Sequence, residues 1–281
     1  MLCVVGDLVE DVVVRVGGPL VHGSDTPAVV ERRRGGSGAN VAVAAAALGC
    51  PTRFIGRVGD DALGGQLIDA IADGEVDPRV QVGGGRTGSV VVLVDADGER
   101  SMFPDRAESV GLAGVDPAWL HGVTWLHVPA YSLCAEPIGT TARELVRHAR
   151  STWARISVDV SSVSVVRSFG VDRFVALLRE LAPDVVFANE DEADLVRSAD
   201  VALLVVKHGP EPIELVHPGG RTEHVPVEVV EGRHDTTGAG DSFAGGYLAS
   251  VVELGRSPTE AAGAGAGAAA ALLRSRVADP E

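Results

Sequence analysis

Apolar and polar positions along this chain follow two periods, the alternation typical of a strand and the three-to-four spacing typical of a helix. Short runs rich in Val and Ile precede longer segments in which apolar residues recur on one helical face. Beyond residue 120 the predicted strands are 123–128, 156–160, 185–188 and 201–206, and the predicted helices are 137–150, 172–181, 190–198, 240–252 and 259–273. This rhythm predicts an α/β fold in three layers, with a mainly parallel sheet flanked by helices on both faces.

The first third of the chain departs from this rhythm. Its predicted strands are 2–5, 12–16, 26–34, 53–58, 90–94 and 100–103, and its predicted helices are 39–48 and a segment capped by Asp60 or Asp61 that runs to about 72. The turn Asp95-Ala96-Asp97-Gly98 predicts a hairpin, as does Pro218-Gly219-Gly220 later on. The β-rich pieces 12–34 and 86–106 are expected to form a small separate sheet, inserted in a single domain spanning 1–281.

Composition limits the possible partners. The chain has 281 residues, of which 46% are hydrophobic and 4% aromatic, so small aliphatic side chains must fill its core. The net charge of −15 argues against nucleic acid or an anionic membrane as a partner. Three widely separated cysteines are read as buried thiols in a reducing compartment, and no targeting segment is visible, so the expected location is the cytoplasm.

A cluster of small residues near the C-terminus is the strongest chemical signal. Gly238, Ala239 and Gly240 open a predicted helix, where unshielded backbone N–H groups and the helix dipole favour a phosphoryl group. Asp241 follows at once, and a carboxylate beside an anion site is explained if it acts as a general base toward an attacking hydroxyl. The alternative is a glycine-rich helix start in which Asp241 is only a capping acid.

A second glycine-rich helix start lies near the N-terminus, in Gly35-Gly36-Ser37-Gly38-Ala39-Asn40. Together with Asp235-Thr236-Thr237-Gly238-Ala239-Gly240-Asp241, it resembles the two signatures of the PfkB (ribokinase-like) carbohydrate kinases. Gly56-Arg57-Val58-Gly59-Asp60-Asp61, followed by Gly64, and Asn189-Glu190-Asp191-Glu192 match two further elements of that family. The resemblance spans nearly the whole chain in the family's order, but its motifs do not identify the sugar.

The resemblance implies a ribokinase-like fold in which 12–34 and 86–106 form a lid over a sugar site. It implies transfer of the γ-phosphoryl group of ATP to a hydroxyl, with Mg²⁺ as the metal. Asp241 is then the catalytic base, and the backbone amides of Gly238, Ala239 and Gly240 form the anion hole. A homodimer formed through the lid is a further expectation.

On the nucleotide side, the resemblance assigns Asn189 and Glu192 to the Mg²⁺–phosphate unit, with Glu192 acting largely through water. Both residue types are also favourable at a helix N-terminus, so the alternative is a purely structural role at the start of the helix. Lys207 and Gly209 match the family's nucleotide loop, although the second glycine usually found three positions later is absent. Asp235 matches a monovalent-cation site, with K⁺ as the expected ion, or it is a turn residue that closes the loop.

On the sugar side, the resemblance assigns Asp11, Gly36 and Asn40 to the substrate. A carboxylate, an amide and exposed backbone suit a polyol, whereas the alternatives are a turn aspartate and a helix-capping asparagine. Residues 32–34, three consecutive arginines, are expected to be a solvated strand edge.

The acceptor is expected to be a small free sugar with a primary hydroxyl, such as ribose, fructose or 2-keto-3-deoxygluconate. Because Phe103 is the sole aromatic residue in the two lid segments, a nucleoside kinase is the less favoured alternative. A non-catalytic sugar-binding relative is a second alternative, which the presence of Asp241 disfavours. A dinucleotide-dependent oxidoreductase is rejected, since only Gly6 follows the first strand where three glycines are needed.

Overall fold

A nine-stranded sheet forms the centre of the molecule, for which a computed structural model describes residues 1–96, 98–231 and 235–276. In spatial order its strands are β13 (Thr222–Val225), β12 (Glu211–Val216), β11 (Leu204–His208), β10 (Val185–Asn189), β9 (Arg155–Asp159), β8 (Trp125–Pro129), β1 (Leu2–Val5), β4 (Thr52–Gly59) and β5 (Val76–Gly83). The seven strands from β11 to β5 pair in parallel, whereas β12 and β13 are antiparallel at one edge. The predicted mainly parallel sheet is confirmed.

Helices cover both faces of this sheet. They are α1 (Ser37–Ala46), α2 (Ala62–Asp73), α3 (Ala130–Leu133), α4 (Ile138–Ser151), α5 (Val163–Phe169), α6 (Val171–Leu181), α7 (Glu190–Val196), α8 (Ala239–Leu254) and α9 (Pro258–Ser275). One buried cluster joins sheet residues such as Leu126 to α4 and α6, and a second joins Phe187 and its neighbours to α1 and α8. Two apolar layers on opposite faces of one sheet confirm the three-layer α/β fold.

Small residues let three helices pack closely on the second face. A methyl group added at Gly245 of α8 would lie 2.7 Å from Ala44 Cβ of α1, and one at Gly246 would lie 2.7 Å from Ala268 Cβ of α9. These distances are well inside van der Waals contact, so the helix backbones approach as near as they do only because these positions are glycine. This packing brings the N-terminal ends of α1 and α8 together.

A second sheet of four strands stands apart from the first, and we call it the small sheet. Its order is β3 (Ala28–Gly35), β2 (Val9–Val16), β6 (Ser89–Val94) and β7 (Arg100–Asp105). Asp11 pairs in register with Arg33 and Val90, so these three share one face, while the neighbouring Val12 shares the other face with Val91. The small sheet is built from the β-rich pieces that interrupt the α/β rhythm, as predicted.

Some elements differ from the predictions. β5 was missed because Pro78 and the charged residues around it break the alternation; proline is tolerated there because β5 is an edge strand. The short helix α5 was also missed, and the strand expected at 201–206 lies at Leu204–His208. In the predicted turn at 95–98, Asp97 is outside the described residues. Among the helices that the structure describes, none is both long and apolar enough to cross a membrane.

Candidate active site

The carboxyl ends of the parallel strands converge on one edge of the large sheet. Asp159 ends β9 and Asn189 ends β10, and Asn189 pairs in register with Lys207 of β11. Ligands of open α/β sheets bind at this edge, where loops leave the strands. The N-terminus of α8 lies at the same place, because Lys207 Nζ is beside Gly240 of α8 and 3.2 Å from Asp159 Oδ2.

Asp241 is held by side chains from the other end of the sequence. Ser37 Oγ donates to Asp241 Oδ1 at 2.7 Å, and Asn40 Nδ2 donates to Asp241 Oδ2 at 2.9 Å. Arg34 Nη1 donates to Asn40 Oδ1 at 3.0 Å. Because a guanidinium only donates, the atom of Asn40 that faces it must be the oxygen, which leaves the amide nitrogen for Asp241. The carboxylate is thereby fixed in position and orientation.

The pKa of Asp241 lies above the usual aspartate value. Burial is the main cause, and the negative charge of Asp159 adds to it. Hydrogen bonds from Asn40 and Ser37 and the charge of Lys207 act in the opposite direction. A raised pKa makes the carboxylate a stronger base, as proton removal from a hydroxyl requires.

The predicted anion hole has the backbone geometry that it needs. Gly238 precedes α8 with a φ of 78°, in the left-handed region that favours glycine. A methyl group at Gly240 would lie 3.3 Å from Lys207 Nζ, so the ammonium group stands directly beside the first turn of α8. Lys207 Nζ also lies 3.2 Å from Asp159 Oδ2. Ala239 N donates to the Thr236 carbonyl oxygen at 3.1 Å. The Lys207 ammonium group and the positive end of the α8 dipole are therefore the features that favour a phosphoryl group here.

Asn189 and Glu192 form a capping box at the start of α7. Asn189 N donates to Glu192 Oε2 at 2.9 Å, and Glu192 N donates to Asn189 Oδ1 at 2.9 Å. The structure thus supports the helix-start role that the sequence left open, while their role toward magnesium stays a prediction. Burial raises the pKa of the Glu192 carboxyl, and the charge of Asp159 raises it further.

The residues present fit a water-rich magnesium site. Within the described part of the chain, no group of three or more His, Cys, Asp or Glu side chains could hold a metal by itself. Mg²⁺ usually binds one or two carboxylates and completes its shell with water and phosphate oxygens. The negative charge of Asp159 disfavours the charged form of Glu192, so a cation near them would stabilise the Glu192 carboxylate. Gly209 lies in the turn after β11, with a φ of 62°, and its nucleotide role stays a prediction.

The three residues predicted on the sugar side lie near one another where the small sheet meets α1. Asp11 is buried on β2, and this burial raises the pKa of its carboxyl. A methyl group at Gly36 would lie 2.1 Å from the Asp7 carbonyl oxygen, and the φ of Gly36 is 98°, so only glycine fits. Arg34 lies in the electric field of both Asp11 and Asp241 and links the small sheet to the Asn40 amide.

Asp235 is surrounded by arginines of the small sheet. Its Oδ2 lies 3.2 Å from Arg15 Nη2 and 3.3 Å from Arg33 Nη2, and its Oδ1 lies 3.7 Å from Arg100 Nη1. Burial alone would raise the pKa of Asp235, but hydrogen bonds from Thr237 and the arginine charges outweigh it and lower the pKa. The carboxylate is therefore already compensated by several positive charges.

The expectation that the three arginines form a solvated strand edge is wrong for two of them. Arg32 is solvated, with 71% of its side chain exposed, whereas the Arg33 side chain is 26% exposed because it pairs with Asp235. Arg34 turns toward Asn40. Arg33 shares the face of Asp11, so its inward position follows from strand alternation in the register of β3 with β2. Arg34 pairs with Glu10 on the opposite face, and its side chain turns toward Asn40 where β3 ends before α1.

Two features of the site were not found from the sequence. Asp159 pairs with Lys207, and Arg106 forms a two-pronged ion pair with Asp7, with N–O distances of 2.6 and 2.8 Å. A polar residue at the carboxyl end of a predicted parallel strand was the signal available for Asp159. The Arg106–Asp7 pair joins segments 99 residues apart, and no local pattern reveals it.

A family model described as pfkB family carbohydrate kinase matches residues 1–280. The chain therefore belongs to the PfkB family of carbohydrate kinases, and it is a phosphotransferase with an alcohol group as acceptor. The resemblance seen in the sequence motifs is confirmed.

The proteins that this chain resembles are named for different acceptor substrates. It is 32% identical over 240 residues to a fructokinase of Klebsiella pneumoniae, covering 79% of this chain and 78% of that one. It is 33% identical over 230 residues to an ATP-dependent ribose-1-phosphate kinase of Halopiger xanaduensis, covering 77% and 72%. The structure matches an adenosine kinase from Sinorhizobium meliloti with a TM-score of 0.85 and 26% identity, covering 97% and 93%. These similarities establish a sugar kinase of the family without identifying its acceptor.

Proposed function

We propose that this protein transfers the γ-phosphoryl group of ATP to the primary hydroxyl of a small free sugar. The observation that supports this best is the position of Asp241, between the N-terminal amides of α8 and the sugar-side residues Ser37 and Asn40. A base in this position can contact the acceptor hydroxyl on one side while the helix terminus holds the phosphoryl group on the other.

In the proposed reaction, Asp241 accepts the proton of the acceptor hydroxyl as the new bond from its oxygen to the γ-phosphorus forms. The bond from this phosphorus to the bridging oxygen of ATP breaks, and ADP leaves. The amides of Gly238, Ala239 and Gly240 and the Lys207 ammonium stabilise the charge that develops on the phosphoryl oxygens. Mg²⁺, when bound, neutralises phosphate charge, and Glu192 and Asp159 would hold it, largely through water. Ser37 and Asn40 keep the Asp241 carboxylate pointing at the acceptor.

The proposed sugar site combines Asp11, Gly36 and Asn40. Ribose, fructose and 2-keto-3-deoxygluconate are the candidate acceptors, and the names of the fructokinase relatives support a free sugar. Because one relative is named ribose-1-phosphate kinase, a sugar phosphate is also tested as an acceptor. The small sheet, acting as a lid, would close over this site and exclude water.

A nucleoside kinase is the second candidate, supported by the similarity to an adenosine kinase structure. The small sheet argues against it. Phe103 pairs in register with Val91, which shares a face with Val12, so its ring lies on the face opposite Asp11. An aromatic ring on that face cannot stack on a base held near Asp11.

We propose that Asp235 anchors the small sheet through its arginines. The alternative is a ligand for K⁺, as the family motif implies. Any cation at this carboxylate would have to compete with Arg15, Arg33 and Arg100, which already surround it. The anchor role needs no further ion.

We also propose that two copies of the protein associate through the outer face of the small sheet. That face exposes 57% of Val30, 39% of Val91 and 58% of Phe103. A sheet face that is apolar and uncovered in the monomer is commonly buried against a partner.

An assay that couples ADP release to a panel of acceptors tests the proposed function. The panel should hold free sugars, sugar acids, sugar phosphates and nucleosides. We expect a free sugar or sugar acid to have the highest kcat/KM in the presence of Mg²⁺. A higher kcat/KM for a nucleoside or for a sugar phosphate would overturn the proposed acceptor class.

A further inference from the structure

An open cavity of about 450 Å³ lies between α3 and α5 and has no role in the site described so far. Tyr131, the second residue of α3, lines one side of it, and Ser164, Ser168 and Phe169 of α5 line another. Tyr131 follows the end of β8, where Pro129 pairs in register with Asp159 at the carboxyl edge of the large sheet. Burial raises the pKa of Tyr131, a hydrogen bond with Ser162 lowers it, and the carboxylates of Asp241, Glu192 and Asp159 raise it further. The cavity therefore opens near the edge of the sheet at which the acceptor hydroxyl would lie.

Two arginines give this cavity its charge. Arg106 donates to Asp7 through Nε at 2.6 Å and through Nη2 at 2.8 Å, and its Nη1 has no acceptor among the described residues. Arg173 lies over the Phe169 ring, 4.1 Å from its centroid, and it has no carboxylate partner among the described residues. No side chain lining the cavity is acidic. After the pairing of Arg106 with Asp7, the cavity keeps about one unmatched positive charge.

These groups match a carboxylate more closely than other ligands. A guanidinium presents a planar fork of donors that fits two carboxylate oxygens, and aromatic support under Arg173 holds that fork in place. The hydroxyls of Tyr131, Ser164 and Ser168 can bind the hydroxyls of a polyol chain. One unmatched positive charge balances a singly charged group, whereas a phosphate carries more charge than the cavity offsets.

We propose that this cavity binds a carboxylate at the end of the acceptor remote from the hydroxyl that faces Asp241. The acceptor would then be an open-chain sugar acid. Its carboxylate would bind Arg106 and Arg173, and its carbon chain would extend past Tyr131 to the catalytic site. This inference rests on the proposed kinase function and adds the substrate class to it.

The test compares matched acceptors on the full-length protein. Each sugar acid of the panel is paired with the neutral sugar of equal carbon number and with the corresponding sugar monophosphate. Calorimetry without ATP measures binding, and ADP release with Mg²⁺ and ATP measures turnover. We expect kcat/KM for the best sugar acid to exceed that of its neutral counterpart at least about tenfold, as for a charged hydrogen bond.

Arg173→Gln should raise KM for the sugar acid about 10- to 100-fold with little change in kcat, and it should leave the KM of the neutral sugar nearly unchanged. Arg167→Gln is the matched control, because Arg167 is exposed on α5 and does not line the cavity. This control should behave like the unchanged protein toward both acceptors.

The outcomes separate the two proposals. If the sugar acid binds through Arg173 but no acceptor is phosphorylated, the kinase proposal fails and the carboxylate site stands. If neutral sugars are phosphorylated as well as acids, or if Arg173→Gln weakens both equally, the carboxylate site is wrong and the kinase stands. A sugar phosphate or a nucleoside that outperforms every sugar acid also overturns the carboxylate assignment.

Discussion

Ser37 Oγ lies 2.7 Å from Asp241 Oδ1, although 204 residues separate the two in the sequence. Both residues stand in the first turn of a helix, and the close packing of α1 on α8 brings these helix starts together. The contact joins the sugar side of the site to the phosphoryl side. It lets one carboxylate be oriented from the segment that is proposed to hold the acceptor.

We predict that Asp241→Asn lowers kcat by at least about 10²-fold, the low end for a lost general base. Folding and the affinity for Mg²⁺–ATP should be kept, because the amide is similar in shape and the anion site is made of backbone. Steady-state kinetics and ATP calorimetry measure both. Asp194→Asn is the control, since 73% of the Asp194 side chain is exposed. Turnover within a few-fold of the unchanged protein would sink the assignment of Asp241 as base.

Ser37→Ala should shift the pH dependence of the reaction. The hydrogen bond from Ser37 lowers the pKa of Asp241, so its removal raises that pKa. A base works only when deprotonated, and the acidic limb of the kcat/KM profile should therefore move to higher pH. Ser198→Ala, at an exposed serine, is expected to leave the profile in place. An unmoved acidic limb in Ser37→Ala would show that Asp241 does not govern it.

Asp235→Asn should loosen the small sheet if Asp235 is its anchor. We expect faster proteolysis and hydrogen exchange in β2 and β3, because Arg15 and Arg33 lose their shared carboxylate. We also expect replacement of Na⁺ by K⁺ at equal ionic strength to change the activity of the unchanged protein less than about twofold, as for general salt screening. A strong requirement for K⁺ that disappears in Asp235→Asn would instead identify a cation ligand.

We predict that the protein loses stability in mild acid because His127 is buried in the neutral form. Its ring is fully buried, and burial lowers its pKa to about 4, with the charge of Asp159 acting in the opposite direction. Between the ordinary histidine pKa and this value, the unfolded chain binds a proton that the folded protein excludes. The free energy of unfolding should thus fall by up to about 1.4 kcal/mol per pH unit as pH decreases from roughly 6.5 to 4.

Denaturant unfolding across this pH range, together with an NMR titration of the histidines, tests this point. His121→Gln is the control, because His121 is exposed and should contribute little to the slope. His127→Gln should flatten the slope. An NMR titration that places the pKa of His127 near 6.5 would contradict the prediction even if that variant does not fold.

Association through the small sheet should be visible in the molar mass. We expect light scattering to give twice the chain mass of 28.9 kDa. Phe103→Glu should yield the monomer, because it buries a charge in an apolar interface. Met102→Glu is the matched control, as Met102 is 55% exposed and pairs with Val92 on the opposite face of the sheet. A monomeric unchanged protein, or a dimer that survives Phe103→Glu, would be evidence against this interface.

Local patterns were sufficient for the fold class and for a hypothesis about the catalytic centre. Strand and helix periods are set by neighbours in the sequence, and so are the helix starts at Gly36 and Gly238. Asp241 could be proposed as the base because it directly follows the glycines at the start of α8.

Contacts between distant segments were beyond the reach of such patterns. The tertiary structure alone placed Lys207 beside Gly240, gave Asp235 its arginine partners and paired Arg106 with Asp7. The local sequence does not decide whether a guanidinium or a carboxylate faces solvent or forms an ion pair. That depends on which charges the fold brings near it. The sequence by itself thus determined the class of reaction, whereas the shape and charge of the acceptor cavity were decided by how the elements pack.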